Sequence, residues 1–258
     1  MPVSYSSYLK LDELLDLQRP LSHEHDEVLF IIIHQVYELW FKEILHEADH
    51  LQNLLERNDS VAALHTFKRI LTVLKIMVAQ IDILETMTPL DFLSFRERLE
   101  AGSGFQSVQF REFEFLLGLK RHGALEHHGG DVQVRGRLES RYNARSLWDS
   151  FVHYLGANGY KVPARALERD FTKPLEPSEE IQEILIDIYR NDPTIANICE
   201  RLVDLDEGLQ EWRYRHVKMV ERTIGTKLGT GGSAGAEYLK NTLFQPVFPD
   251  LWAIRSRL

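Results

Sequence analysis

From Leu29 to Leu55 apolar residues fall at Leu29, Phe30, Ile33, Val36, Tyr37, Trp40, Phe41, Ile44, Leu45, Ala48, Leu51 and Leu55. These spacings of three and four hold for about seven turns at 3.6 residues per turn, so the segment predicts one long helix with a single apolar face. The same period returns from Val61 to Leu84, between Asp59-Ser60 and Thr88-Pro89, and again from Ile195 to Ile224, where Gly225 supplies a stop. Thr88-Pro89-Leu90-Asp91 reads as an N-cap with Pro at the first helical position, opening a helix to about Leu99. Phe105 to Leu119 resumes after Ala101-Gly102-Ser103-Gly104 with an aromatic pattern. Ser146 caps Leu147 to Leu155, Ser178 caps Glu179 to Tyr189, and a short helix with a Pro-containing turn closes the chain from Tyr238 to Leu251. No stretch alternates with period two long enough to seed a sheet, so the fold class is all-α, a helical bundle domain.

The 258 residues fit a single domain over 1–258, with 1–20 as an N-terminal segment and about 121–196 as a variable helical or loop insertion. Within that insertion, residues 121–145 are rich in Gly, His and Arg and show no clear period, so a loop is expected there. The 30 Lys and Arg against 39 Asp and Glu give a net charge of −9, which disfavours nucleic acid as a partner. The longest apolar run, Val28 to Ile33, is far short of the ~20 residues of a membrane helix, so no membrane partner is expected. Met1 to Leu11 has no apolar core of a secretory signal. The single cysteine, Cys199, can form neither an internal disulfide nor a C-x-x-C-H haem attachment. The chain reads as cytoplasmic.

Two motifs are formal matches without their context. His46-Glu47-Ala48-Asp49-His50 fits H-E-x-x-H, but His46 and His50 align with Lys42, Glu43, Asn53 and Arg57 on a polar face. Gly229-Thr230-Gly231-Gly232-Ser233-Ala234 fits G-x-G-x-x-A, a pattern that binds dinucleotides only after a strand, and here a helix precedes it. The alternatives are a connector and a backbone loop that closes over a ligand, with the Thr230 hydroxyl reaching it. Glu38, Glu43 and Glu47 read as a solvated face.

Two histidines lie on apolar stripes: His34 with Phe30, Tyr37 and Phe41, and His216 with Leu209, Trp212 and Val220. A lone histidine so placed is usually a hydrogen-bonded core residue, whereas two on separate long helices suit a cofactor site between facing helices. Arg96 shares an aromatic face with Phe92 and Leu99. Either it pairs with Asp91 or Glu100, or it clamps a ligand carboxylate.

Three blocks together resemble the haem-dependent tryptophan 2,3-dioxygenase family: His25 to Gln35 with Glu38-Leu39-Trp40-Phe41-Lys42; Thr88 to Arg96 through Ser103-Gly104-Phe105-Gln106-Ser107; and Trp212-Arg213-Tyr214-Arg215-His216 through Gly229 to Ser233. The resemblance runs from about Tyr5 to Tyr238. It implies an all-α homotetramer binding haem b, with His216 as iron ligand and Ser103, Gly104 and Gly229 beside the cofactor. It also implies that His34 is the catalytic histidine bonded to the indole N–H, that Arg96 binds the substrate carboxylate, and that Thr230 takes the polar end. Phe30 and Phe92 would wall the indole, while Tyr5, Tyr8 and Leu9 would come from a neighbouring subunit. The implied reaction is oxidation of L-tryptophan by dioxygen to N-formylkynurenine, with indole C2–C3 cleavage. One alternative on the same scaffold is a haem-dependent monooxygenase of a 3-substituted or β-methylated indole. A haem-binding protein without turnover is another, although it would need neither Arg96 nor Thr230.

Overall fold

The computed structural model describes residues 3–100, 102, 104–126, 131–229 and 236–258. Two short helices, α1 (Tyr5–Leu9) and α2 (Leu11–Leu15), lead into the long α3 (Asp26–Glu56) and α4 (Ser60–Leu84). Next come α5 (Pro89–Arg96), which tightens into a 3-10 turn over Glu97–Leu99, then α6 (Val108–Leu117), α7 (Gly123–Glu126) and α8 (Val132–Asn143). The remainder is α9 (Leu147–Ala157), α10 (Ala164–Leu167), α11 (Glu179–Asn191), α12 (Pro193–Ile224), α13 (Ala236–Lys240) and α14 (Pro249–Ala253). No strand occurs among the described residues, and no helix there is long and apolar enough to cross a membrane.

The caps follow the sequence closely. Thr88 and Asp91 form a reciprocal capping box with Pro89 at the first position, and Ser146 with Asp149 forms another. Asp192 accepts from the amides of Thr194 and Ile195 ahead of Pro193, and Gly225 ends α12 at φ +59°. Ser178 is different. It stands at the N-cap of α11 without a side-chain cap bond, and its amide donates instead to the buried Asp250.

α12 packs on α4 and α4 on α3, with α9 against the other side of α3. Gly208 sits where α12 meets α4; a Cβ there would lie 2.9 Å from Leu74 Cδ2, so its absence sets the close approach. The main core runs through Ile44, Leu51, Leu55, Phe67, Ile70, Phe151, Leu155, Leu202 and Phe248, each at most 1% exposed. Burying each such side chain contributes about 1.5–3 kcal/mol. Asp206 on α12 ties down the C-terminal segment, accepting from the amides of Val247 and Phe248 and from Trp252 Nε1 at 2.8–3.0 Å.

Residues 121–145 differ from the loop expected of them. α7 and α8 occupy most of the stretch, and Leu138 with Leu125 and Phe115 forms a second small core, flanked by Val134 and Tyr142. The apolar residues of α8 lie at single four-residue steps, a stripe too thin to stand out among its arginines. Lys120, 3% exposed, fixes the end of α8: its ammonium donates to the carbonyls of Arg141, Tyr142 and Ala144, each at 2.9 Å. Burial pulls its pKa down to about 8. α9 and α11, within the 121–196 stretch, contribute to the main core.

Candidate active site

One cavity of about 260 Å³ opens between α3, α5, α6 and α12. Phe30, His34, Phe92, Arg96, Gly104, His216 and Gly229 all line it, so seven predicted site residues from distant blocks meet in one place. Thr230 and Ser103 lie outside the described residues. Tyr5, Tyr8 and Leu9 are not at the cavity; they stand exposed on α1, which buries none of its residues.

α3 delivers Phe30 and His34 one turn apart on its inner face. Their rings are 4.1 Å apart, and Phe92 and Phe95 from α5 pack on Phe30 at 5.8 and 5.6 Å. His34 Nδ1 is 2.7 Å from the Phe30 carbonyl. A carbonyl only accepts, so Nδ1 carries the proton and neutral His34 keeps its Nε2 lone pair. Burial lowers the His34 pKa, opposed by that hydrogen bond and by Glu38.

His216 comes from α12 and stacks on Trp212 one turn earlier, with centroids 5.1 Å apart and planes 18° apart. Phe41 and Phe110 enclose the same indole. Burial, with a smaller contribution from nearby His34, pushes the His216 pKa down to about 4, and burial lowers that of His34, so both imidazoles are neutral at pH 7. Among the described residues neither ring nitrogen of His216 has a hydrogen-bond partner.

Arg96 resolves in favour of the cavity. Its expected partner Asp91 is engaged by the Thr88 amide and hydroxyl, and among the described residues Arg96 makes no ion pair. Its guanidinium donates to the Leu228 carbonyl, beside cavity-lining Gly229.

Two readings of the glutamates need correction. Glu47 is buried and paired with Arg69 at 2.5 Å, while His46 and His50 are exposed one turn apart, so the glutamate of H-E-x-x-H lies off the face that carries the two histidines. Glu38 lines the cavity one turn beyond His34, where Gln109 Nε2 donates to its carboxylate at 2.8 Å. Sequence reasoning also missed Arg111, Glu114, Arg121 and Arg213, all on the cavity wall. For Arg111, Glu114 and Arg213 the only signal was charge at apolar helical positions; Arg121, between α6 and α7, gave none.

A neutral imidazole facing an aromatic cavity suits a metal that brings most of its own ligands, as haem iron does, because a protein-only cage wants three or four side-chain donors. Among the described residues no group of three such donors occurs.

The sequence matches the family described as Tryptophan 2,3-dioxygenase over residues 1–134 and 122–258. The chain belongs to the tryptophan 2,3-dioxygenase family. It is 61% identical over 258 residues to the tryptophan 2,3-dioxygenase of Herpetosiphon aurantiacus, covering 99% of this chain and 98% of that one. The tryptophan 2,3-dioxygenase of Anaeromyxobacter sp. strain K is 55% identical over 256 residues, covering 99% and 96%. That of Caulobacter vibrioides is 45% identical over 260 residues, covering 99% and 98%. The family implies haem, and both cavity imidazoles are in the state that would accept it.

Proposed function

We infer that this chain oxidises L-tryptophan with dioxygen to N-formylkynurenine, opening the indole between C2 and C3, with haem b held in the cavity by His216. The observation that carries the reading is the meeting of His34, His216, Arg96, Phe30 and Phe92 in one apolar cavity, in a chain of this family. Bound there, haem iron would supply the dioxygen chemistry, which no side chain of the cavity can perform.

The chain's own part is placement. Phe30 and Phe92 present an apolar wall to the indole, and closing that wall excludes water. His34 Nε2, left free by the Nδ1 bond to Phe30, accepts from the indole N–H and fixes which edge faces the reacting centre. Arg96 takes the substrate carboxylate in the fork that now holds the Leu228 carbonyl. A zwitterionic aromatic amino acid satisfies all three.

A homotetramer fits the surface. α1 and α2 leave Tyr5, Tyr8, Leu9, Leu14 and Leu15 uncovered, and the first three would reach the site of a neighbouring copy. The buried, reduced Cys199 suits the cytoplasm.

Ferrous, haem-loaded protein given L-tryptophan and isotopically labelled dioxygen tests the activity. N-formylkynurenine carrying two labelled atoms, formed without added reductant, is expected. One labelled atom, or turnover only of 3-substituted or β-methylated indoles, would place the chain with the monooxygenases. Stable haem with no product from any indole would make it a binding protein.

A further inference from the structure

A histidine that is to hold a metal needs its ring kept in one plane. The torsion that turns an imidazole about its stem is broad and roughly two-fold, so rotamer preference alone does not set that plane for His216. Metal-binding histidines are usually oriented by a hydrogen bond from the second ring nitrogen. Among the described residues none hydrogen-bonds the His216 ring, whose titration is governed by burial and by His34.

What the His216 ring does meet is Trp212, one turn earlier on α12. Side chains four residues apart on a helix lie one above the other, and these two stack with centroids 5.1 Å apart and planes only 18° apart. Tilting either ring would give up that face contact, so the pair favours near-parallel planes. The indole is itself held. Trp212 is 9% exposed, with Phe110 at 5.2 Å and with Phe41 and Tyr37 at 6.2 and 6.3 Å, the last two packed edge to face. Tyr37 is fixed in turn, because its hydroxyl donates to the Met77 carbonyl of α4 at 2.6 Å. Orientation is thus handed from α4 through Tyr37 and Trp212 to the imidazole.

We propose that Trp212 is a positioning residue for the iron ligand: its indole, caged by residues of α3 and α6, sets the plane of the His216 ring in the place of the usual hydrogen bond. The proposal rests on the haem reading above. A hydrogen bond would orient the ring and raise its basicity together, whereas a face contact orients it without drawing on its N–H. The task needs a flat side chain and makes no use of the indole N–H, so phenylalanine should serve where leucine cannot.

The test is spectroscopic. Ferrous, haem-loaded wild type, Trp212→Phe and Trp212→Leu are compared by the iron–histidine stretch in resonance Raman, which reports on that bond whether or not the enzyme turns over. Wild type and Trp212→Phe are expected to give the same band. Trp212→Leu, which fills space without a flat face, is expected to give a broader or displaced band and to lose haem to excess apomyoglobin about two- to tenfold faster, the range for one aromatic pair. A merely structural tryptophan would lower the Tm of Trp212→Leu and leave the band where it was, which overturns the proposal while the haem reading stands. A Trp212→Phe band as disturbed as that of Trp212→Leu does the same. Wild type that takes up no haem, or a band that survives in His216→Ala, overturns the iron assignment and the proposal with it. Should Trp212→Leu fail to fold by circular dichroism, Trp212→Met, with a flexible chain of suitable bulk, carries the same comparison.

Discussion

Arg96 shows how a single side chain can be legible in type and open in partner. Arginine on an aromatic face announced a charge in need of a counterion, yet spacing could not choose between Asp91, Glu100 and a ligand. Asp91 is consumed by the capping box with Thr88, which leaves the guanidinium on a backbone carbonyl at the cavity edge. Arg96→Leu should therefore cost tryptophan binding about 2–5 kcal/mol, the range for truncating one partner of a buried charge pair, with little effect on indole, which has no carboxylate. Equal losses for the two ligands in a binding titration would contradict the assignment. Glu38 and Glu47 were misread for a related reason. On a helix with some apolar character all round, charge alone does not mark the wet side, and the partners Gln109 and Arg69 are distant in sequence.

Among the elements, long helices with dense apolar faces and strong caps were readable to within a few residues: α3, α4, α9 and α12 are where the period placed them. α8 was not, because its stability comes from a thin stripe and from Lys120, which is outside the helix. Lys120→Met should remove three hydrogen bonds at once and leave the carbonyls of Arg141, Tyr142 and Ala144 without a partner, costing about 1–3 kcal/mol. Faster amide exchange across α8 than across α4 would report it; uniform exchange would mean α8 is held by packing alone. At the start of α3, Glu27 accepts from the amides of Leu21 and Ser22 and from the Ser22 hydroxyl. Burial pushes its pKa up, but these bonds and Arg98 outweigh it and the net shift is downward. Its contribution is thus present above the free value of about 4.5 and lost as pH falls through the lower folded value. Urea midpoints measured down that range should fall, and Glu27→Gln should flatten part of the slope.

For the whole molecule, the cavity was assembled in outline from sequence because the family blocks each mark one of its walls. The meeting of Arg111, Glu114, Arg121 and Arg213 on the cavity wall was not, since no single helix shows that they converge. The exposed apolar arm of α1 and α2 belongs to this scale too. If the arm joins copies as proposed, removing residues 1–15 should dissociate the proposed tetramer in light scattering and weaken tryptophan binding together; an unchanged assembly would separate the arm from the interface. The central claim is that the cavity uses its two histidines differently, and the structure makes the question sharp. The hydrogen-bonded ring nitrogen that usually orients a metal-bound histidine is seen at His34, whereas the family resemblance assigns the iron to His216. Haem content and turnover measured side by side in His34→Ala and His216→Ala decide it. The account predicts that His34→Ala keeps haem with reduced but measurable turnover and that His216→Ala folds without stable haem; haem lost from His34→Ala and retained by His216→Ala would show the roles to be exchanged.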